Sequence, residues 1–289
     1  MSRIAVLIFA LLFQEFAHGA RGSEALLVPG KNWELLGEGY QLTADSAVDH
    51  AGNIFFTDAR NNRIYKVDSG GHIALWKEES GGAHGIAYGP DGLLYAGQHN
   101  QKRIVALSAD RTESVLAEDV QTHHLTVTDR NQIYFADAPN HRVWLLDAAG
   151  MKRVVTEQVD WPHCLRLSSD RTRLLVTDPH TAQVMRFPIQ PDGGLARGEL
   201  FCRLKTRTGT TATEAGGMAF DSGGYFYVAT NLGVQVFDAT GHSVTTLDPP
   251  GKGEVSDVFF AGDHMQWLVV TDGEKLYRRA VRRHGAARN

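Results

Sequence analysis

The sequence predicts an all-β fold, a six-bladed propeller, and three observations carry that prediction. First, one frame recurs: an aliphatic residue nine positions before an aromatic or aliphatic one. The position two before that pair falls on His84, His123 and His163, and in looser form on Ala44, Gly216 and Ser256. The successive intervals are 40, 39, 40, 53 and 40 residues, and a period near 40 built of short strands is the mark of one four-stranded blade per repeat. Second, each repeat alternates apolar and polar residues in short runs bounded by Gly and Asn clusters, the hairpin signal. Third, no window after residue 19 sustains a helical period.

Taken in order, the first repeat predicts strands at 53–57, 63–67 and 72–76, separated by Asn61-Asn62 and Ser69-Gly70-Gly71. The same cadence predicts strands at 93–96, 103–107 and 114–116, then at 133–136, 142–146 and 153–155. The fourth repeat gives 174–177, 183–188 and 201–204; the fifth gives 225–229, 234–237 and 243–247. The sixth has room for three strands only, ending with 267–270 and 275–281, while residues 32–37 stand unassigned ahead of the first repeat. Pairing that N-terminal strand with the last blade closes the ring and removes an open sheet edge. The 53-residue interval holds extra chain: a turn-rich Gln190-Pro191-Asp192-Gly193-Gly194, and a polar loop at 205–214 suited to lie over one channel mouth.

Residues 1–19 read as a secretory signal peptide: Arg3, an apolar run at 4–13, then Ala17-His18-Gly19 with small residues flanking the cut. The run is shorter than the roughly 20 residues a spanning helix needs. The expectation is a secreted or periplasmic protein cleaved near Gly19/Ala20, with residues 20–289 forming a single domain and no transmembrane span in the mature chain. A net charge of −4 gives no reason to expect a nucleic-acid partner. The two cysteines, Cys164 and Cys202, could pair in an oxidising compartment, but they read better as buried free thiols. Alternation along an extended segment would turn Cys164 away from the face of His163.

With the frame set, the chain resembles the senescence-marker-protein/gluconolactonase (regucalcin-like) family of six-bladed propellers. The resemblance rests on Asn53-Ile54-Phe55-Phe56-Thr57-Asp58, Arg63-Ile64-Tyr65-Lys66-Val67-Asp68 and Gly89-Pro90-Asp91-Gly92. It rests also on residues 187–193, and on 225–230 with Gly233-Val234-Gln235-Val236. The resemblance implies a lactone hydrolase with a divalent cation, often calcium, at the channel mouth. It also implies which ligands should be present, and here the chain departs. Ala44 stands where the family has a glutamate, His84, His123 and His163 where it has asparagines, and Gly216 where it has an aspartate. Calcium takes six to eight oxygens, so a calcium site of the family type is not expected.

Three histidines in six equivalent positions exceed what 13 histidines in 289 residues would place there. Imidazole suits transition metals, and three His ligands with an open position form catalytic zinc sites. The expected metal ligands are therefore His84, His123 and His163, with a divalent transition metal, zinc favoured over calcium. Asp45 and Glu214, beside the positions lacking histidine, are candidate catalytic acids or bases. His99, His124 and Ser256 are candidate substrate-binding residues, with His124 turned away from the axis or supporting His123 from behind. The expected function is hydrolysis of a carbohydrate-derived lactone or small ester. A metal-dependent lyase and a non-catalytic propeller that binds a ligand or partner are the alternatives.

Overall fold

The computed structural model describes residues 25–251 and 254–286; the expected signal peptide lies outside them. Six four-stranded antiparallel sheets form the fold. Their innermost strands are Thr43–Val48, Ala83–Tyr88, Leu125–Val127, Leu165–Leu167, Met218–Phe220 and Val255–Ala261. Each of these packs against the next, and the sixth packs against the first, so the sheets close a ring around one axis. The expected strands appear within one or two residues at most boundaries, as Arg63–Val67, Arg103–Leu107 and Ser243–Leu247 illustrate.

Closure follows the expected route. Glu34–Glu38 pairs antiparallel with Lys275–Ala280 and supplies the fourth strand of the last blade. Gly37, where that pairing slips by one residue, has no space for a side chain: a Cβ would meet Ile73 Cδ1 at 2.6 Å and the Tyr40 hydroxyl at 2.7 Å.

The apolar core divides into wedges between neighbouring blades. Phe55 and Ile64 of the first blade pack with Ile86, Ala96 and Val105 of the second. Tyr40, Ile54 and Phe56 meet Phe259, Val269 and Leu276 across the closing junction. Fully buried aromatic and aliphatic side chains of this kind contribute about 1.5–3 kcal/mol each, and they leave the polar residues to the channel.

What positions the channel residues is a defect in the ladder. Register shifts fall between Thr43 and Ser46, Ala83 and Ile86, and Val255 and Asp257. In the third, fourth and fifth blades the inner strand begins only at Leu125, Leu165 and Met218. Bulges unpair a residue and re-aim its side chain. In four blades two consecutive residues therefore line the mouth where strict alternation would allow one: Ala44 and Asp45, His123 and His124, His163 and Cys164, Gly216 and Gly217.

Candidate functional site

At one end of the channel lies a cavity of about 910 Å³. The six equivalent positions gather there as expected: Ala44, His84, His123, His163, Gly216 and Ser256 all line it. Ser256 is engaged, its Oγ donating to the Thr43 carbonyl at 2.9 Å and meeting Thr271 Oγ1 at 2.7 Å. The loop at 205–214 also lines the mouth, through Arg207, Thr210 and Glu214.

The histidines divide into two arrangements. His84 and His123 stack with ring centroids 4.8 Å apart, and His99 packs against both, at 5.7 and 4.7 Å. His99 follows the second strand of its blade, and its buried Nδ1 has no hydrogen-bond partner. His163 stands apart: its Nδ1 meets the Ala215 carbonyl at 3.0 Å. A carbonyl only accepts, so Nδ1 carries the proton and Nε2 keeps its lone pair. Burial, with the neighbouring imidazoles His123, His99 and His163, pulls the His84 pKa down to about 4. Burial likewise lowers His123 and His163, so these three rings are neutral near pH 7.

Beneath them lies a second layer: Asp45, Gly85, His124, Cys164, Gly217 and Asp257. Of the two arrangements the sequence left open for His124, the structure does not show the turned-away one. Its Nε2 faces Asp45 Oδ1 at 3.6 Å, and its Nδ1 accepts from the Leu165 amide at 3.2 Å. With both nitrogens occupied it braces the channel between the first and third blades. Cys164, expected on the opposite face, also borders the mouth cavity. The same irregular backbone accounts for both placements.

Asp45 is buried, accepting from the Ser46 amide at 2.8 Å and the Ile86 amide at 2.9 Å. Burial and then the charge of Asp257 push its carboxyl well above the usual range. Glu214 sits in the mouth loop beside Glu254. Its protonated carboxyl hydrogen-bonds to Glu254, which raises its pKa, and burial adds to the shift. The structure thus brings His84, His99 and His123 into one cluster, sets His163 near it, and keeps Asp45 below and Glu214 in the loop.

Several residues at the site went unremarked in the sequence. Arg207 holds Glu254 at 3.6 Å and donates to the Asn231 carbonyl at 3.0 Å. Trp161 stacks on His180 with centroids 4.7 Å apart at the rim. A signal existed for part of this. The positions 15 to 17 residues after three of the ring positions also open on the mouth, and they carry Pro179, Asn231 and Gly273.

The residues fit a transition-metal ion in chemistry: neutral imidazoles and one orphaned buried nitrogen. Among the described residues, however, no three His, Cys, Asp or Glu side chains are already arranged to hold one. The oxygen set that calcium would need is absent from the ring positions, as the sequence indicated.

Residues 135–274 match the family model of the SMP-30/gluconolactonase/LRE-like region. The chain carries an SMP-30/gluconolactonase/LRE-like region. Within this gluconolactonase-like propeller the matched stretch contains His163 but begins after His84, His99 and His123. No protein of curated function matches the chain. Solved structures give the fold. A gluconolactonase from Xanthomonas campestris superposes with a TM-score of 0.78 at 20% identity, over 90% of this chain and 92% of that one. Regucalcin, a calcium-binding protein from Agrobacterium tumefaciens, gives 0.73 at 14% identity, over 89% and 96%. Virginiamycin B lyase from Staphylococcus aureus gives 0.61 at 15% identity, over 86% and 83%. Among the described residues no helix is long and apolar enough to cross a membrane.

Proposed function

We propose that this gluconolactonase-like propeller hydrolyses a small lactone or ester, of sugar type, at the His-lined mouth. The observation that carries the proposal is the Ala215 carbonyl on His163 Nδ1. It fixes the tautomer in which Nε2 is the proton acceptor, at a cavity large enough for a small molecule. His163 would act as general base on a water attacking the ring carbonyl, a role worth about 100-fold to 10,000-fold in rate. Arg207, cationic and held at the same mouth by Glu254, would bind and orient the polar rim of the substrate. Glu214, kept protonated to higher pH by Glu254, would supply the proton that the leaving alkoxide takes up. A divalent transition metal, zinc first, would be held by mouth imidazoles and would polarise the carbonyl.

Turnover of aldonolactones by the wild type, lost at least 100-fold in His163→Ala with an unchanged melting temperature, is the expected outcome. Equal turnover in the two proteins would overturn the reading. The same base could serve an elimination, the chemistry that the printed name of the virginiamycin B lyase denotes for that protein. Hydrolysis in ¹⁸O-water puts label into the product carboxylate, and elimination leaves the product unlabelled. Export rests on the N-terminal segment, and a mature N-terminus near Ala20 is the check.

A further inference from the structure

The channel has a second cavity at its other end, about 180 Å³ in volume. It lies past the layer of Asp45 and His124, which line both cavities. His84, His123 and His163 do not line it. The exposed residues His50 and Ser169 stand at its rim, so it opens to solvent. Ile86, Val127, Met218 and Phe259, from four different blades, give it apolar walls.

One cation faces this cavity with its donors idle. Arg166, on the inner strand Leu165–Leu167 of the fourth blade, lines it. Among the described residues its guanidinium makes no hydrogen bond and no ion pair. The other arginines lining either cavity are paired: Arg171 holds Asp129, and Arg207 holds Glu254. The charged and titratable groups facing Arg166 are Asp257, Asp45, Arg171 and His124. The two carboxyls act on it through space, but their oxygens are already engaged. Asp45 accepts from the Ser46 and Ile86 amides, and Asp257 from the Ser46 hydroxyl and the Val258 amide. The rigid fork of N–H donors is therefore left to water or to a ligand.

We propose that this far cavity binds a small monocarboxylate, held by the Arg166 guanidinium with its tail against the apolar walls. A planar fork matches the two oxygens of a carboxylate. The volume is several times the roughly 30 Å³ that one water takes up, room for an acid of about three to five carbons. A single negative charge suits the site better than two, because Asp45 and Asp257 face the same guanidinium. Inorganic phosphate, largely dianionic near neutral pH and lacking an apolar tail, is thus the poorer ligand. The site is separate from the proposed hydrolysis at the His-lined mouth and does not rest on it.

Propionate and inorganic phosphate, titrated separately into the full-length protein near neutral pH and followed by calorimetry, test it. Propionate should bind the wild type with a Kd of about 1 mM or tighter, within the ceiling for so small a ligand. Arg166→Gln should weaken that binding at least about 10-fold, the scale of hydrogen bonds to a charged group. His163→Ala, altered at the other mouth, should leave it within about 2-fold, as distant independent sites do. Four results overturn the proposal: no propionate binding by the wild type, equal binding in Arg166→Gln, loss of binding in His163→Ala, or tighter binding of phosphate than of propionate. A readout on the wild type guards against a misfolded variant. Propionate should shift the Arg166 Nε signal in ¹⁵N spectra, and an unshifted signal is an overturning result.

Discussion

Ser46 donates its hydroxyl to Asp257 Oδ2 across the junction of the first and last blades, while its own amide donates to Asp45 Oδ1 at 2.8 Å. One serine thus links two buried carboxyls. The groups facing them are His124, Cys164 and Arg166, whose cation pulls down both carboxyls without offsetting their burial.

Burial raises Asp257 from 3.8 to about 6. The folded state then binds more protons than the unfolded one between those values, so this group's contribution to stability falls as pH rises from 4 to 6. At 1.36 kcal/mol per unit, the loss is about 3 kcal/mol, shared with Asp45. Asp257→Asn should therefore gain melting temperature relative to the wild type as pH increases from 4 to 7. Parallel Tm–pH curves for the two proteins would contradict this.

Gly217 is a second lever on the same carboxyl. A Cβ there would lie 1.6 Å from Asp257 Oδ1, and one at Gly216 would lie 1.9 Å from the Ser256 carbonyl oxygen. Overpacking of this kind costs about 3 kcal/mol or more. Gly217→Ala should lower the denaturant midpoint accordingly, and the double variant with Asp257→Ala should recover part of the loss. Chemical denaturation of both variants measures it.

The raised Glu214 carboxyl depends first on its hydrogen bond with Glu254, and the charge of Arg207 opposes the shift. Glu254→Gln should return Glu214 toward the ordinary glutamate range, because the amide donates to the carboxylate and Arg207 loses its competing partner. The ¹³C carboxyl titration of Glu214 reports this directly, and an unchanged midpoint would count against a shared proton.

Cys164 and Cys202 are free and buried. Burial raises the Cys202 thiol to about 12 and holds Cys164 well above the usual thiol range. Neither should react with a thiol reagent at pH 8 until the protein unfolds, and a reductant should leave Tm unchanged.

The blades were legible because a 40-residue period and turn residues repeat with little interruption, and a ring of equivalent positions follows from the period alone. His84, His123 and His163 could be placed at one mouth for that reason. The layer of Asp45, His124 and Asp257 was not legible. Assigning those side chains needs the pleat to be regular, and the pleat breaks at residues 43–46, 83–86 and 255–257. The split between the His99 cluster and His163 depends on one backbone carbonyl, that of Ala215, which no sequence pattern announces.

The strand Glu34–Glu38 carries a consequence for how the chain is made. Its partners, Lys275–Ala280, are made long after it, and the bond from Thr43 Oγ1 to the Gly273 carbonyl spans 230 residues. Closing a loop of that length costs on the order of 5 kcal/mol of chain entropy, and nothing repays it before the sixth blade is made. Five blades can pair locally while the nascent chain waits with one sheet edge uncovered. The mouth, which needs Ser256 and Gly273 from the sixth blade, comes into being at the moment the circle shuts, so a chain cut short of that blade would have blades but no complete mouth.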